Sequence, residues 1–145
     1  MQIILADHQI IPELRLFFRE YIDLSNDGVY SEEFTCPDGI KAAAQRGQMI
    51  VAIDEGQVIG ACRFYKKRNS VVSLYQFAIR ERYRGRGVLI KMLEKTEAPG
   101  VTAKCPVNAQ FNNYYRKTGW SLLKTENGFM HWRYSLSEVN SLPAP

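Results

Sequence analysis

The stretch that decides the reading is Gln76-Phe77-Ala78-Ile79-Arg80-Glu81-Arg82-Tyr83-Arg84-Gly85-Arg86-Gly87. It joins the end of an apolar, alternating run, Val71 to Ile79, to a helical pattern in which Leu89, Met92, Leu93 and Thr96 share one face. A helix start offers unpaired backbone N–H groups and the positive end of the helix dipole, and glycines let that backbone approach a phosphate closely. The surrounding arginines add charge and forked hydrogen bonding to phosphate oxygens. A pyrophosphate would fit such a turn. Taken alone, Arg84-Gly85-Arg86-Gly87 reads equally well as a solvated basic turn, so its neighbourhood has to decide.

Upstream, Gln2 to Ala6 suits a short first strand. Pro12 then opens a helical pattern carrying Leu14, Phe17, Phe18, Tyr21 and Ile22 on one face. An acidic connector with Glu32 and Glu33 leads to Asp38, which is placed to cap a second helix with Ile40, Ala43 and Ala44 inward, ending at Gly47. Gln48 to Asp54 and Gln57 to Tyr65 read as a hairpin turning at Glu55-Gly56, and Lys66 to Ser70 is a basic loop. Downstream of the arginine turn, Ala98-Pro99-Gly100 ends the helix and Val101 to Cys105 forms a strand. Asn108 begins a fourth helix running to Thr118, with Gly119 as its stop. Trp120 to Thr125 and Phe129 to Leu136 close a last hairpin at Asn127-Gly128. The predicted order is β-α-α-β-β-β-α-β-α-β-β, an α+β arrangement in one domain over 1–137, followed by a short C-terminal tail, 138–145.

At 145 residues, 46% hydrophobic and 23% charged, the composition is that of a globular domain rather than a disordered or fibrous chain. No run approaches the roughly 20 apolar residues of a membrane span, and Met1 to Asp7 turns polar too soon for a secretory signal, so a cytoplasmic protein without membrane contact is expected. Cys36, Cys62 and Cys105 are odd in number and widely spaced, which predicts reduced thiols and no metal cluster. The charge is split. Residues 1–60 hold four basic and ten acidic side chains, a balance of −6, while residues 61–145 hold fifteen basic and five acidic, a balance of +10. Such asymmetry is compatible with a polyanion site on the second half and equally with solvated surface.

With a strand before it, a helix after it and two helices at the N-terminus, the arginine turn resembles the coenzyme-binding signature of the GNAT family of N-acetyltransferases, Arg/Gln-x-x-Gly-x-Gly/Ala. Arg84-Gly85-Arg86-Gly87-Val88 matches the first five positions, and Leu89 stands where the family usually has Gly or Ala. A second motif of the family, an Asn with an apolar residue three on, aromatics six and seven on, then Gly and an aromatic, is matched by Asn108, Phe111, Tyr114, Tyr115, Gly119 and Trp120. The resemblance implies a mixed, mostly antiparallel sheet of about seven strands flanked by four helices. It implies acetyl-CoA as cosubstrate, held by backbone groups from Arg84 to Leu89 and at Asn108. The strand residues Phe77, Ala78 and Ile79 would lie along the pantetheine arm. It also implies Tyr115 as the general acid that protonates the departing thiolate.

That last role is chemically sound, because a tyrosine with an ordinary pKa of about 10 is protonated at neutral pH and can serve a thiolate whose conjugate acid lies near 8.5. The bland alternative is a core stripe at helical spacing, which suits Phe111 and Tyr114 better than Tyr115. No carboxylate lies on Val71 to Ile79 to serve as general base. Glu32, Glu33 and His131 are the candidates at the acceptor side, each with a plain surface reading beside it, and a water relay is the alternative. The acidic first half favours a cationic acceptor: a small amine, or a peptide or lysine amine. The runner-up acceptor is nucleic acid, tracked by Arg63, Lys66, Lys67, Arg68, Arg116 and Lys117. A non-catalytic acyl-CoA-binding module is the third reading. The chain is expected to be a monomer or homodimer.

Overall fold

A computed structural model describes residues 1–21 and 36–136. The expectations placed on Glu32, Glu33 and the C-terminal tail lie outside the described residues. Within them the elements follow the predicted order: β1 (Gln2–Leu5), α1 (Ile11–Tyr21), α2 (Pro37–Gln45), β2 (Met49–Asp54), β3 (Gln57–Lys66), β4 (Val72–Ile79), α3 (Val88–Glu94), β5 (Gly100–Pro106), α4 (Asn112–Lys117), β6 (Ser121–Glu126) and β7 (Phe129–Ser135). The strands form one sheet in the order β1-β2-β3-β4-β5-β7-β6, antiparallel throughout except where β4 runs parallel to β5.

Both faces of the sheet are covered, and alternation along the strands assigns each residue to its face. Met49 and Val51 of β2 pack with Leu14, Phe17 and Phe18 of α1 and Ile40 and Ala43 of α2. Ile50 and Ala52, one residue out of phase, pack on the opposite face with Val88, Leu89, Met92 and Leu93 of α3. Each fully buried Leu, Ile or Phe in these layers contributes roughly 1.5–3 kcal/mol relative to exposure. Helix α3 lies close on the sheet because Gly60 of β3 has no side chain. A Cβ there would stand 3.4 Å from Val88 Cγ1 and 3.5 Å from Met92 Cε.

Three local expectations are corrected. Asp38 does not cap α2; Pro37 occupies its opening position and Cys36 precedes it, which leaves Asp38 inside the first turn. Helix α3 ends before Thr96, whose hydroxyl instead donates to the Leu93 carbonyl at 2.6 Å. Asn108 does not begin α4. It sits in a turn, and tight i to i+3 hydrogen bonds carry the chain to Asn112: Ala109 N to Pro106 O at 3.0 Å and Asn112 N to Ala109 O at 3.2 Å. The carboxamide of Asn112 takes the same two carbonyls, at 2.8 and 3.1 Å, and this competition between side chain and backbone delays regular helix until residue 112.

Candidate active site

The site starts from a break in the sheet. Strands β4 and β5 are paired only at Val72 with Val101 and Ser73 with Thr102, although β4 continues to Ile79 and β5 to Pro106. Beyond Ser73 the two strands diverge. The opening is reinforced on the other edge of β4 by a bulge: Arg63 faces Gln76 while the next residue, Phe64, faces Leu74, so Tyr75 is the extra residue. The second half of β4, carrying Phe77, Ala78 and Ile79, thus stays paired to β3 on one edge and borders a wedge on its β5 edge, where no strand lies in register beside it.

At the far end of that wedge the chain makes a short 3-10 turn, Glu81–Tyr83, and enters the arginine-glycine turn. Gly85 and Gly87 have φ of 76° and 72°, a region L side chains rarely adopt, and a Cβ at either would meet nothing within 4 Å. The backbone before α3 is therefore open to a bound group. Arg84 Nε donates to the Ile79 carbonyl at 2.9 Å, which ties the turn to the end of β4. Tyr83 donates its hydroxyl to Asp54 at 2.6 Å and so fixes the turn to the β2–β3 hairpin. That bond holds the Asp54 carboxyl below its ordinary pKa and the Tyr83 phenol above. Arg82 and Arg86 lie 5.4 and 5.6 Å from the Tyr83 ring centre. Val88 and Leu89 are both buried against the sheet, Leu89 with 1% of its surface exposed. The Leu89 side chain therefore points into the core, and the position that departs from the small-residue pattern presents backbone rather than isobutyl group to the outside.

The other side of the wedge is aromatic. Phe77 of β4 meets Phe111 and Tyr114 at ring-centre distances of 5.4 and 5.6 Å, and Tyr115 meets Phe111 at 5.5 Å, Trp120 at 5.0 Å and Trp132 at 5.8 Å. These contacts reach from β4 across to β7. Tyr115 is 5% exposed, and burial, with Cys105 and Tyr114 as smaller contributors, pushes its phenol well above the ordinary tyrosine value. It is held protonated. Beside it the Trp120 indole N–H is buried with no hydrogen-bond partner among the described residues.

Asn112 is the site residue that sequence reasoning passed over. It is 2% exposed, donates to the Pro106 and Ala109 carbonyls, and accepts from the Trp132 indole at 2.9 Å. It thereby locks α4, and Tyr115 with it, to the end of β5 and to β7. Its motif neighbour Asn108 is exposed in the preceding turn. His131 is half-buried on β7, between Lys104 on β5 and Lys124 on β6, and its neighbour Trp132 belongs to the core layer that holds Tyr115. Of the basic residues, Arg63 lies on the sheet and Lys67 Nζ donates to Thr102 Oγ1 at 2.8 Å. Among the described residues no helix is long and apolar enough to cross a membrane.

Comparison with curated protein sequences gives no significant match. Among solved structures, the chain is similar to the PaiA N-acetyltransferase of Thermoplasma acidophilum in complex with coenzyme A, with a TM-score of 0.72 at 14% identity over 92% of this chain and 98% of that one. A GNAT-family acetyltransferase of Streptococcus agalactiae gives 0.68 at 16% identity over 92% and 94%. An N-acetyltransferase of Staphylococcus aureus gives 0.65 at 13% identity over 93% and 98%. At such identities the likeness speaks to the fold. The profile described as the acetyltransferase (GNAT) family matches residues 12–120, three quarters of the chain, and the chain therefore belongs to that family.

Proposed function

We propose that this acetyltransferase moves an acetyl group from acetyl-CoA to a primary amine within one domain over 1–137, and that Tyr115 is its general acid. The observation that carries the reading is the wedge between β4 and β5, which ends at the open glycine turn and is flanked by the buried Tyr115. The residues present fit the cosubstrate. An extended arm suits the β5-facing edge of Phe77 to Ile79, which no strand pairs, and a pyrophosphate suits the backbone from Arg84 to Leu89, whose glycines leave room and whose arginines supply charge. Asn108 is a further candidate contact.

Acetyl-CoA supplies an activated acyl group on a thiol leaving group. The amine nitrogen forms the bond to the acyl carbon as the carbon–sulfur bond breaks. Tyr115 Oη then gives its proton to the departing sulfur and regains one from solvent. Its raised pKa means the hydroxyl carries its proton when the thiolate forms. With no carboxylate on β4, the proton leaving the amine passes to water, with Glu32, Glu33 or His131 as the side chains to test. The acidic first half of the chain favours a positively charged acceptor, either a small amine or a peptide or lysine amine.

Calorimetric titration with acetyl-CoA and CoA, followed by thiol release across an amine panel, tests the reading. Binding of both and amine-dependent release are expected. Absence of heat with either ligand would overturn it.

A further inference from the structure

We propose that Arg63 binds an oxyanion on the acceptor, so that the acceptor is an amine that also carries a carboxylate or a phosphate. This rests on the acetyl transfer proposed above and names its substrate class.

Arg63 stands in the middle of β3, opposite Met49 on one side and Gln76 on the other, on the sheet face that carries α1 and α2. Its guanidinium carbon lies 4.7 Å from the centre of the Tyr75 ring and 5.5 Å from that of Tyr65, and the two rings meet edge to face at 5.3 Å. The bulge makes this possible, since the extra residue Tyr75 turns onto the face of Tyr65. Stacking on rings fixes the guanidinium plane while leaving its N–H edge for hydrogen bonds.

Among the described residues that edge is unspent: Nε of Arg63 is buried with no hydrogen-bond partner, and no carboxylate pairs with the group. Two other arginines of the site behave differently: Arg80 Nε donates to the Val58 carbonyl and Arg84 Nε to the Ile79 carbonyl, both at 2.9 Å. A buried charged donor left open is costly, and a planar, ring-held guanidinium is shaped for forked binding of an oxyanion.

The position suits an acceptor. Gln76, directly across from Arg63, lies three residues before Ile79, which places Arg63 about 10 Å along the strand from the end of β4, beside the stretch of β4 that β5 leaves unpaired. Tyr115 packs in the core layer of the opposite face. An amine anchored by its anionic end at Arg63 would approach the wedge from the side away from the general acid.

Matched amines test this: amino acids against their carboxamides, and phosphoethanolamine against ethanolamine, with wild type, Arg63→Gln and Arg63→Lys. Wild type is expected to favour the oxyanion member of at least one pair by about tenfold or more in kcat/KM, and the pair that responds tells carboxylate from phosphate. Arg63→Gln brings that ratio near unity and Arg63→Lys restores part of it. Equal use of both members by wild type, or a preference that survives in Arg63→Gln, overturns the proposal. Calorimetric titration of the amino acids and phosphoethanolamine into the protein, with and without CoA, gives a readout independent of turnover. Heat with wild type that Arg63→Gln abolishes supports the site, and no heat with any probe overturns it. Failure of CoA itself to bind counts against acetyl transfer and leaves the Arg63 titration to be judged alone.

Discussion

Trp132 donates its indole N–H to Asn112 Oδ1 at 2.9 Å, joining β7 to the first residue of α4 across a sequence separation of twenty residues. Because the same carboxamide also donates to Pro106 and Ala109, one small side chain sets where α4 begins and how Tyr115, three residues on, is presented. Asn112→Ala leaves a buried indole donor without its partner and strips the Pro106 and Ala109 carbonyls of their second hydrogen bond. It should cost about 2–4 kcal/mol in urea unfolding and lower turnover through misplacement of Tyr115. Wild-type stability in this variant would remove Asn112 from the positioning role.

At the arginine turn, Gly87 precedes α3 with φ of 72°, so Gly87→Ala forces a left-handed backbone on an alanine. A loss of about 1 kcal/mol in stability is expected, together with a rise in KM for acetyl-CoA that exceeds any rise for the amine. Paired substrate titrations of the variant measure both. A change confined to the amine KM would separate this turn from the cosubstrate.

Alkaline pH should weaken the fold before it affects the state of the general acid. Burial pushes the Cys62 thiol from an ordinary 9.0 up to about 12, and it raises the Tyr115 phenol above its ordinary 10.0. Both groups hold their protons more tightly when folded. Their contribution is therefore complete below about pH 9 and is lost as pH rises, first toward 12 for Cys62, with Tyr115 adding to the loss above about 10. Urea midpoints measured at about pH 8 and about pH 10.5 should fall in wild type and fall less in Cys62→Ala. Identical slopes would show that Cys62 does not carry the effect.

The order of elements was legible because each carries its own periodicity: Leu14, Phe17 and Phe18 at helical spacing are buried on α1, and the Glu55-Gly56 and Asn127-Gly128 turns have the positive φ their hairpins require. The glycine turn was legible for the same local reason. Asn112 was not, since its partner Trp132 reaches it only through the pairing of β5 with β7, and a polar residue beside a second asparagine carries no spacing signal. Arg63 passed as one more cation of a basic stretch, because its two tyrosines meet it only once the bulge has turned Tyr75 onto the same face. Asp38 illustrates how a single proline displaces a cap: with Pro37 opening the helix and Cys36 at the cap position, the acid falls two residues too late.

The central claim is that Tyr115 delivers the proton to the departing thiolate, and steady-state thiol release from acetyl-CoA by wild type and Tyr115→Phe tests it most directly. The substitution removes only the hydroxyl and keeps the ring contacts with Phe111, Trp120 and Trp132. A fall in kcat of about 10²-fold or more is expected, with the unfolding midpoint preserved. Undiminished turnover by Tyr115→Phe would contradict the account.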